Sequence, residues 1–192
     1  LIALQYHEVK IEVKFKQIED IVPYWGTGTD IKKQLELKAN LMCTMVYLEE
    51  EERRSYASST HEYLVDLLAY QGETETNDKD TTYHAFFNHP TTELIWCFVP
   101  NVCVLAKEPF GYHALNAEAS NFANDPLIEA KLQFNGYDRF DFMPPEYFRE
   151  LVPAQVHSAI PEKNIYVYSF ALEPEDFRPS GSVNLSRIDN VK

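Results

Sequence analysis

Several things are scarce in this chain of 192 residues, and each scarcity closes a door. Cysteine occurs three times, at Cys43, Cys97 and Cys103. An odd number without ligand spacing argues against a disulfide framework and against a zinc site. Each cysteine lies in an apolar stretch, so the expectation is three small buried hydrophobes in a protein assembled in a reducing cytoplasm. Basic residues are also few, 17 against 30 acidic ones, for a net charge of −13. Such a surface repels phosphate, which speaks against counterion-release binding to nucleic acid and against docking on anionic lipid. No run of eighteen apolar residues is present, so no segment reads as a membrane-spanning helix. Glycine is rare too, six residues against eleven prolines.

Motifs that carry chemistry are missing as well. There is no Gly-x-Ser-x-Gly elbow, no phosphate-binding loop, no dinucleotide glycine run and no His-Glu-x-x-His pair. Six histidines are scattered. His84 and His89 straddle one strand end, and His61-Glu62 follows a short helix. The acidic group Glu173, Glu175 and Asp176 falls in a proline-containing loop and reads as solvated. Asn184-Leu185-Ser186 fits a glycosylation sequon, but it sits at a strand entry and reads as unmodified. The pairs Tyr24-Trp25 and Ile95-Trp96 offer aromatic surface for sugar stacking, although core packing is the commoner use of single aromatics. No catalytic residue, metal ligand or cofactor emerges.

What the chain does have is aromatic and apolar content. Apolar residues make up 45% and aromatics 14%, with 12 Tyr and 12 Phe, a composition that favours pleated, half-buried surfaces. Val9, Ile11, Val13 and Phe15 alternate with Lys10, Glu12, Lys14 and Lys16, the period of a strand with one buried face. Residues 23–30 break this pattern with one proline and two glycines and read as a linker. Beyond them, 35–48 and 63–70 read as strands, and 49–56 as a helix whose leading acids suit its positive end. Residues 72–82 form a polar loop. Strands follow at 83–87 and 93–99, joined by the turn 88–91. Residues 101–125 lack periodicity and read as a long surface excursion. The segment 128–134 alternates again and is turned by Asn135-Gly136. Pro144 opens a short helix to Leu151. Residues 165–172 are strongly β-prone, and 183–188 begin a further strand. Seven or eight short strands with turns between them point to an all-β sandwich or jelly roll.

Several strings resemble the major capsid proteins of nucleocytoplasmic large DNA viruses, nearest the algal-virus and iridovirus branches. Leu1-Ile-Ala-Leu-Gln-Tyr-His-Glu-Val-Lys-Ile11 resembles the closing strand of that family's first jelly roll. Glu51-Glu-Arg-Arg-Ser-Tyr-Ala57 with His61-Glu-Tyr-Leu64 resembles the opening of the second. Phe87-Asn-His-Pro90 with Glu93-Leu-Ile-Trp96, Ala130 to Phe140, and Ile165 to Leu172 follow in order. Pro179-Ser-Gly-Ser-Val-Asn-Leu-Ser-Arg-Ile-Asp-Asn190 is similar to the family's most recognisable string.

The resemblance implies a viral double jelly roll, all-β with short helices in its loops. Here that would be the last strand of the first roll over 1–22, a linker over 23–34, and most of the second roll over 35–192. Because the chain opens on Leu1 directly in a strand pattern, it is expected to be a fragment of a longer reading frame. The implied role is structural: homotrimeric, pseudo-hexagonal capsomers of an icosahedral shell, made in host cytoplasm and resident in the virion. Partners would be further copies, neighbouring capsomers and minor capsid proteins, with neither nucleic-acid binding nor direct membrane insertion. The motif residues Pro179, Ser180, Gly181, Asn184, Ser186, Arg187 and Asp189 are expected to maintain the fold. Gly181 would permit a turn, and Ser180, Asn184 and Ser186 would satisfy backbone groups. Arg187 would pair with Asp189 or a nearby carboxylate. The alternatives are a jelly-roll carbohydrate-binding module and a cupin-type metalloenzyme.

Overall fold

The computed structural model describes residues 8–16, 38–105, 110–112 and 125–192. The chain divides into two compact units, Leu1–Leu68 and Ala69–Lys192.

In the first unit the described regular element is one helix, α1 (Glu50–Ser58). Glu50, Glu51 and Glu52 occupy its first turn, where the exposed N–H groups favour negative charge. Arg54 Nη2 donates to Glu50 Oε1 at 2.6 Å, one turn back, a pairing worth about 0.3–0.5 kcal/mol on an exposed helix. No residue of α1 is buried. Past its end, the His61 ring stacks on Tyr56 with centroids 5.5 Å apart.

The strands expected at 9–16, 35–48 and 63–70 are not formed among the described residues of those segments, which carry no regular structure and whose large apolar side chains are exposed apart from the half-buried Leu48. The physical reason is general. A strand is stabilised by a neighbour's ladder and by a face to bury, and alternation alone supplies neither. The expected linker at 23–34 and the pair Tyr24-Trp25 lie outside the described residues.

Among its described residues the second unit carries six strands. In chain order these are β1 (Pro90–Thr91), β2 (Glu93–Cys97), β3 (Ala130–Phe134), β4 (Tyr137–Met143), β5 (Ile165–Ser169) and β6 (Val183–Asn184). They pair antiparallel as β1 with β6, β2 with β5, and β3 with β4. The β2–β5 ladder runs from Glu93 opposite Ser169 to Cys97 opposite Ile165. The β3–β4 hairpin turns at Asn135 (φ 51°) and Gly136 (φ 84°). Both central residues of a type I′ turn need positive φ, which is why Asn-Gly stands there.

The stretch 83–87 contributes a single bridge, Ala85 to Val191, rather than the full strand expected. Val191 bridges Phe134 as well, and Gln133 and Lys192 exchange backbone hydrogen bonds at 2.8 and 3.0 Å. The segment 190–192 thus lies between residue 85 and the outer edge of β3.

Helical pieces interrupt the strands. The segment 101–125, expected to be irregular, opens with α2 (Asn101–Leu105), which buries Cys103. Cys43 and Cys97, expected to be buried, are exposed. The helix expected after Pro144 is present and longer. A π-helical turn (Tyr147–Leu151) continues into α3 (Val152–Val156), and the Val152 N–H reaches Tyr147 O five residues back.

Aromatic rings tie these pieces together. Phe98 packs on Tyr166, Tyr166 on Trp96, Trp96 on Phe148, Phe148 on Phe140, Phe140 on Tyr168, Tyr168 on Phe170 and Phe170 on Phe134. Adjacent centroids stand 4.9–6.1 Å apart. Each such pair adds about 0.5–1.5 kcal/mol beyond the area it buries. Tyr166 and Phe148 are almost fully buried, at 0% and 1% exposure. At the Phe134 end, Leu132, Leu185 and Val191 form a small aliphatic core flanked by Ala85, Phe87, Val183 and Ile188.

Candidate functional site

The string from Pro179 to Asn190 is built into this core from both ends. Ser180 Oγ donates to Glu173 O at 3.1 Å and accepts the Glu173 N–H at 2.9 Å, closing the loop between them. Gly181 follows, with φ 151°, and a Cβ built on it would lie 2.8 Å from Phe170 O and 3.3 Å from Ala171 Cα. Only glycine lets the chain pass so close to the end of β5. Asn184 then pairs with Pro90 across β1–β6. Its Oδ1 accepts the Ser186 N–H at 3.1 Å and also the Ser186 hydroxyl. That caps a 3₁₀ turn (Leu185–Arg187) and seats Leu185, whose N–H donates to His89 O at 3.2 Å. His89 itself has φ 83°.

Asn135 Oδ1 accepts the Asn190 N–H at 2.9 Å, and the Asn135 N–H donates to Asn190 O at 2.7 Å. The string therefore joins three separate two-stranded ladders through one short run. Pro179, Arg187 and Asp189 are exposed. Among the described residues Arg187 makes no ion pair with Asp189 or another carboxylate, since it ends the 3₁₀ turn facing solvent.

A second polar constellation had no signal in the sequence. Arg149, 3% exposed on the π-helical turn, donates from Nη1 to Asp125 Oδ2 at 2.5 Å. Its Nη1 also stands 3.5 Å from Asn164 Oδ1, and Nη2 donates to Glu150 Oε1 at 2.8 Å. The Tyr166 hydroxyl donates to Asp125 Oδ1. Burial and the adjacent Asp125 acceptor push the Tyr166 phenol well above its ordinary range, so it stays neutral. Asp125 lies 24 and 41 residues from its two partners, a separation that no local motif reports. The arrangement satisfies every carboxylate oxygen of Asp125 and leaves no poised nucleophile. Its chemistry is that of a structural lock.

A third cluster joins the loop to α3. His157 Nε2 stands 3.0 Å from Glu93 Oε2, and Nδ1 stands 3.1 Å from Glu175 Oε1. Glu175 also accepts from the Ser158 N–H and hydroxyl at 3.1–3.2 Å. The Ser158 N–H foremost, then His157, hold the Glu175 carboxyl below its usual range. Glu175 is exposed, as the solvated reading of its loop expects, and its carboxylate also fastens the 173–180 loop to the end of α3. Beside it a pocket of about 220 Å³ opens between Ile95, Ala159, Pro161, Ile165 and Val167. Among the described residues no three His, Cys, Asp or Glu side chains gather as a metal site. Among them, too, no helix is long and apolar enough to cross a membrane.

Comparison with known proteins decides the family. The family model described as large eukaryotic DNA virus major capsid protein matches residues 52–192.

The chain belongs to that family.

The major capsid protein of Pyramimonas orientalis virus is 34% identical over an alignment that takes in 100% of this chain and 48% of the relative. That of Phaeocystis pouchetii virus is 32% identical, with 100% and 54% covered. The major capsid protein of Paramecium bursaria Chlorella virus 1 is 32% identical, with 100% and 49% covered. The chain thus spans about half the length of the curated relatives it matches. Among solved structures, the quasi-atomic PBCV-1 virus capsid superposes with a TM-score of 0.58 at 28% identity, covering 76% of this chain and 41% of that one. The matched residues of this capsid-family chain contain all six described strands, the Pro179–Asn190 string, the Asp125–Arg149 lock and the His157 cluster.

Proposed function

We propose that this chain is the shell-forming part of a major capsid protein, carrying the last strand of a first jelly roll over 1–22 and most of a second over 35–192, joined by 23–34. Complete subunits would assemble as homotrimers, pseudo-hexagonal capsomers that tile an icosahedral shell in the virion. Their partners are other copies, neighbouring capsomers and minor capsid proteins. The observation that carries this reading is the family match across 52–192. Its role is shape and contact rather than turnover. The net charge of −13 suits a surface that does not grip a genome.

The Pro179–Asp189 residues serve this function by maintaining the fold. Ser180, Gly181, Asn184 and Ser186 do so through backbone contacts at strand ends. The carbohydrate-module alternative is disfavoured by Trp96, whose ring is packed between Phe148 and Tyr166 instead of being displayed.

The test is the native mass of the full protein by light scattering after gel filtration, with elemental analysis of the same fractions. A stable trimer free of stoichiometric metal is expected. A monomer, or one equivalent of bound transition metal, would overturn the reading.

A further inference from the structure

Asn135-Gly136 is the one Asn-Gly pair in the chain, and the turn it forms carries a chemistry of its own. In such a pair the Gly136 amide nitrogen, having given up its proton to solvent, can attack Asn135 Cγ. The Cγ–Nδ2 bond breaks, ammonia leaves and a five-membered succinimide forms. Water then opens the ring at either carbonyl, leaving aspartate or isoaspartate. Glycine eases the attack because no Cβ stands in its way. Both residues are exposed, and a Cβ built at Gly136 would meet nothing within 4 Å.

Two features of the fold oppose ring closure. Closure turns the Asn135 Cα–C bond until the Gly136 nitrogen meets the side chain, whereas the hairpin fixes Asn135 in the left-handed region, at φ 51°, beside the paired Phe134 and Tyr137. The side chain is held as well. Asn135 Oδ1 accepts the Asn190 N–H at 2.9 Å, while Asn190 O accepts the Asn135 N–H at 2.7 Å. This closed pair continues into Gln133 and Lys192, which exchange backbone hydrogen bonds, and into the Val191 bridges to Phe134 and Ala85.

We infer that Asn135-Gly136 is a covalent modification site gated by the segment 190–192: while docked, that segment keeps the amide intact, and on detaching it releases Asn135 to deamidate. The product hinders return. Isoaspartate puts an extra methylene into the main chain of the two-residue loop whose geometry sets the β3–β4 register. Aspartate keeps the acceptor but adds negative charge to a chain already at −13.

The test follows the tryptic peptide Leu132–Arg139 from the full protein, in which Asn135 is the only asparagine. Chromatography with mass spectrometry separates its asparagine, aspartate and isoaspartate forms, and unaged samples correct for conversion during digestion. The same peptide made synthetically gives the ungated rate. At neutral pH the native protein should convert roughly tenfold or more slowly than the peptide, as a site that reacts only on local opening does. A urea series below the unfolding transition should raise the rate in step with hydrogen exchange at the Asn135, Gln133 and Lys192 amides. Asn190→Pro, which removes the N–H held by Asn135 Oδ1, should bring the rate towards that of the peptide while circular dichroism shows the fold kept. Should that variant not fold, the urea series decides. A native rate equal to the peptide's, or an unreactive peptide, would overturn the inference. So would conversion that stays slow, in urea or in the variant, while the Asn135 amide exchanges freely.

Discussion

Gly181 and Arg149 show how single residues hold this structure, one by having no side chain and the other by burying a large one. At Gly181 the obstruction to a Cβ is backbone, Phe170 O at 2.8 Å, which no rotamer change relieves. Gly181→Ala is therefore expected to lose about 1–3 kcal/mol, the range for a strained backbone position, read as a lowered urea midpoint at constant slope. Arg149→Met leaves the Asp125 carboxylate in place, its side chain 11% exposed, without its guanidinium. Breaking a buried pair from one side costs about 3–5 kcal/mol, so this variant should unfold far earlier than Gly181→Ala.

Glu175 gives a pH-dependent counterpart. Its carboxyl sits below its ordinary value of 4.5 because Ser158 and His157 donate to the ionised form. A depressed carboxyl contributes stability that is fully present above the unfolded-state value and is lost as pH falls through the folded one. The wild type should hold its advantage over Glu175→Gln at pH 7 and lose it progressively as pH falls below the ordinary carboxyl value of 4.5. An advantage in denaturant melts that does not shrink as the pH is lowered through the acid range would contradict this assignment.

At the scale of elements, the β3–β4 hairpin offers the cleanest separation of causes. A Cβ at Gly136 would meet nothing within 4 Å, so only its φ of 84° resists substitution. Gly136→Val should cost about 1–3 kcal/mol, whereas Gly136→Asn, which tolerates that conformation, should restore most of it; thermal melts of the pair decide. This hairpin was legible in the sequence because its signal is local: alternation into Asn-Gly. The helix α1, the helix after Pro144 and the strands β2 and β5 were legible for the same reason, through leading acids, proline position and β-prone runs.

What the sequence hid depends on distance. The pairing of β1 with β6 spans more than ninety residues, and Asp125 finds Tyr166 only after the fold is made. Helix α2 was missed because five residues carry too few turns to show a period. The segments 35–48 and 63–70 read as strands from apolar content, yet their described residues are unpaired and, Leu48 apart, exposed. The motif at 179–190 was found by resemblance, and its geometry explains the residue types: hydroxyl, glycine and amide stand where backbone groups or close approach demand them.

The molecule as a whole combines a second unit locked by aromatic packing and buried polar pairs with a first whose described apolar side chains are exposed. Among the described residues, large side chains such as Leu67, Leu68, Met42 and Tyr47 lie open to solvent. Scattered exposed apolars are ordinary, but a concentration of them marks surface that meets a partner. Stable interfaces bury on the order of 1,200–2,000 Å², and on the proposed shell-building reading further copies would cover such a surface. The measurement that tests this most directly is electron microscopy of the purified full protein. The account predicts particles with threefold symmetry and a pseudo-hexagonal outline, the shape required to tile a shell. Single compact monomers at every protein concentration would contradict it.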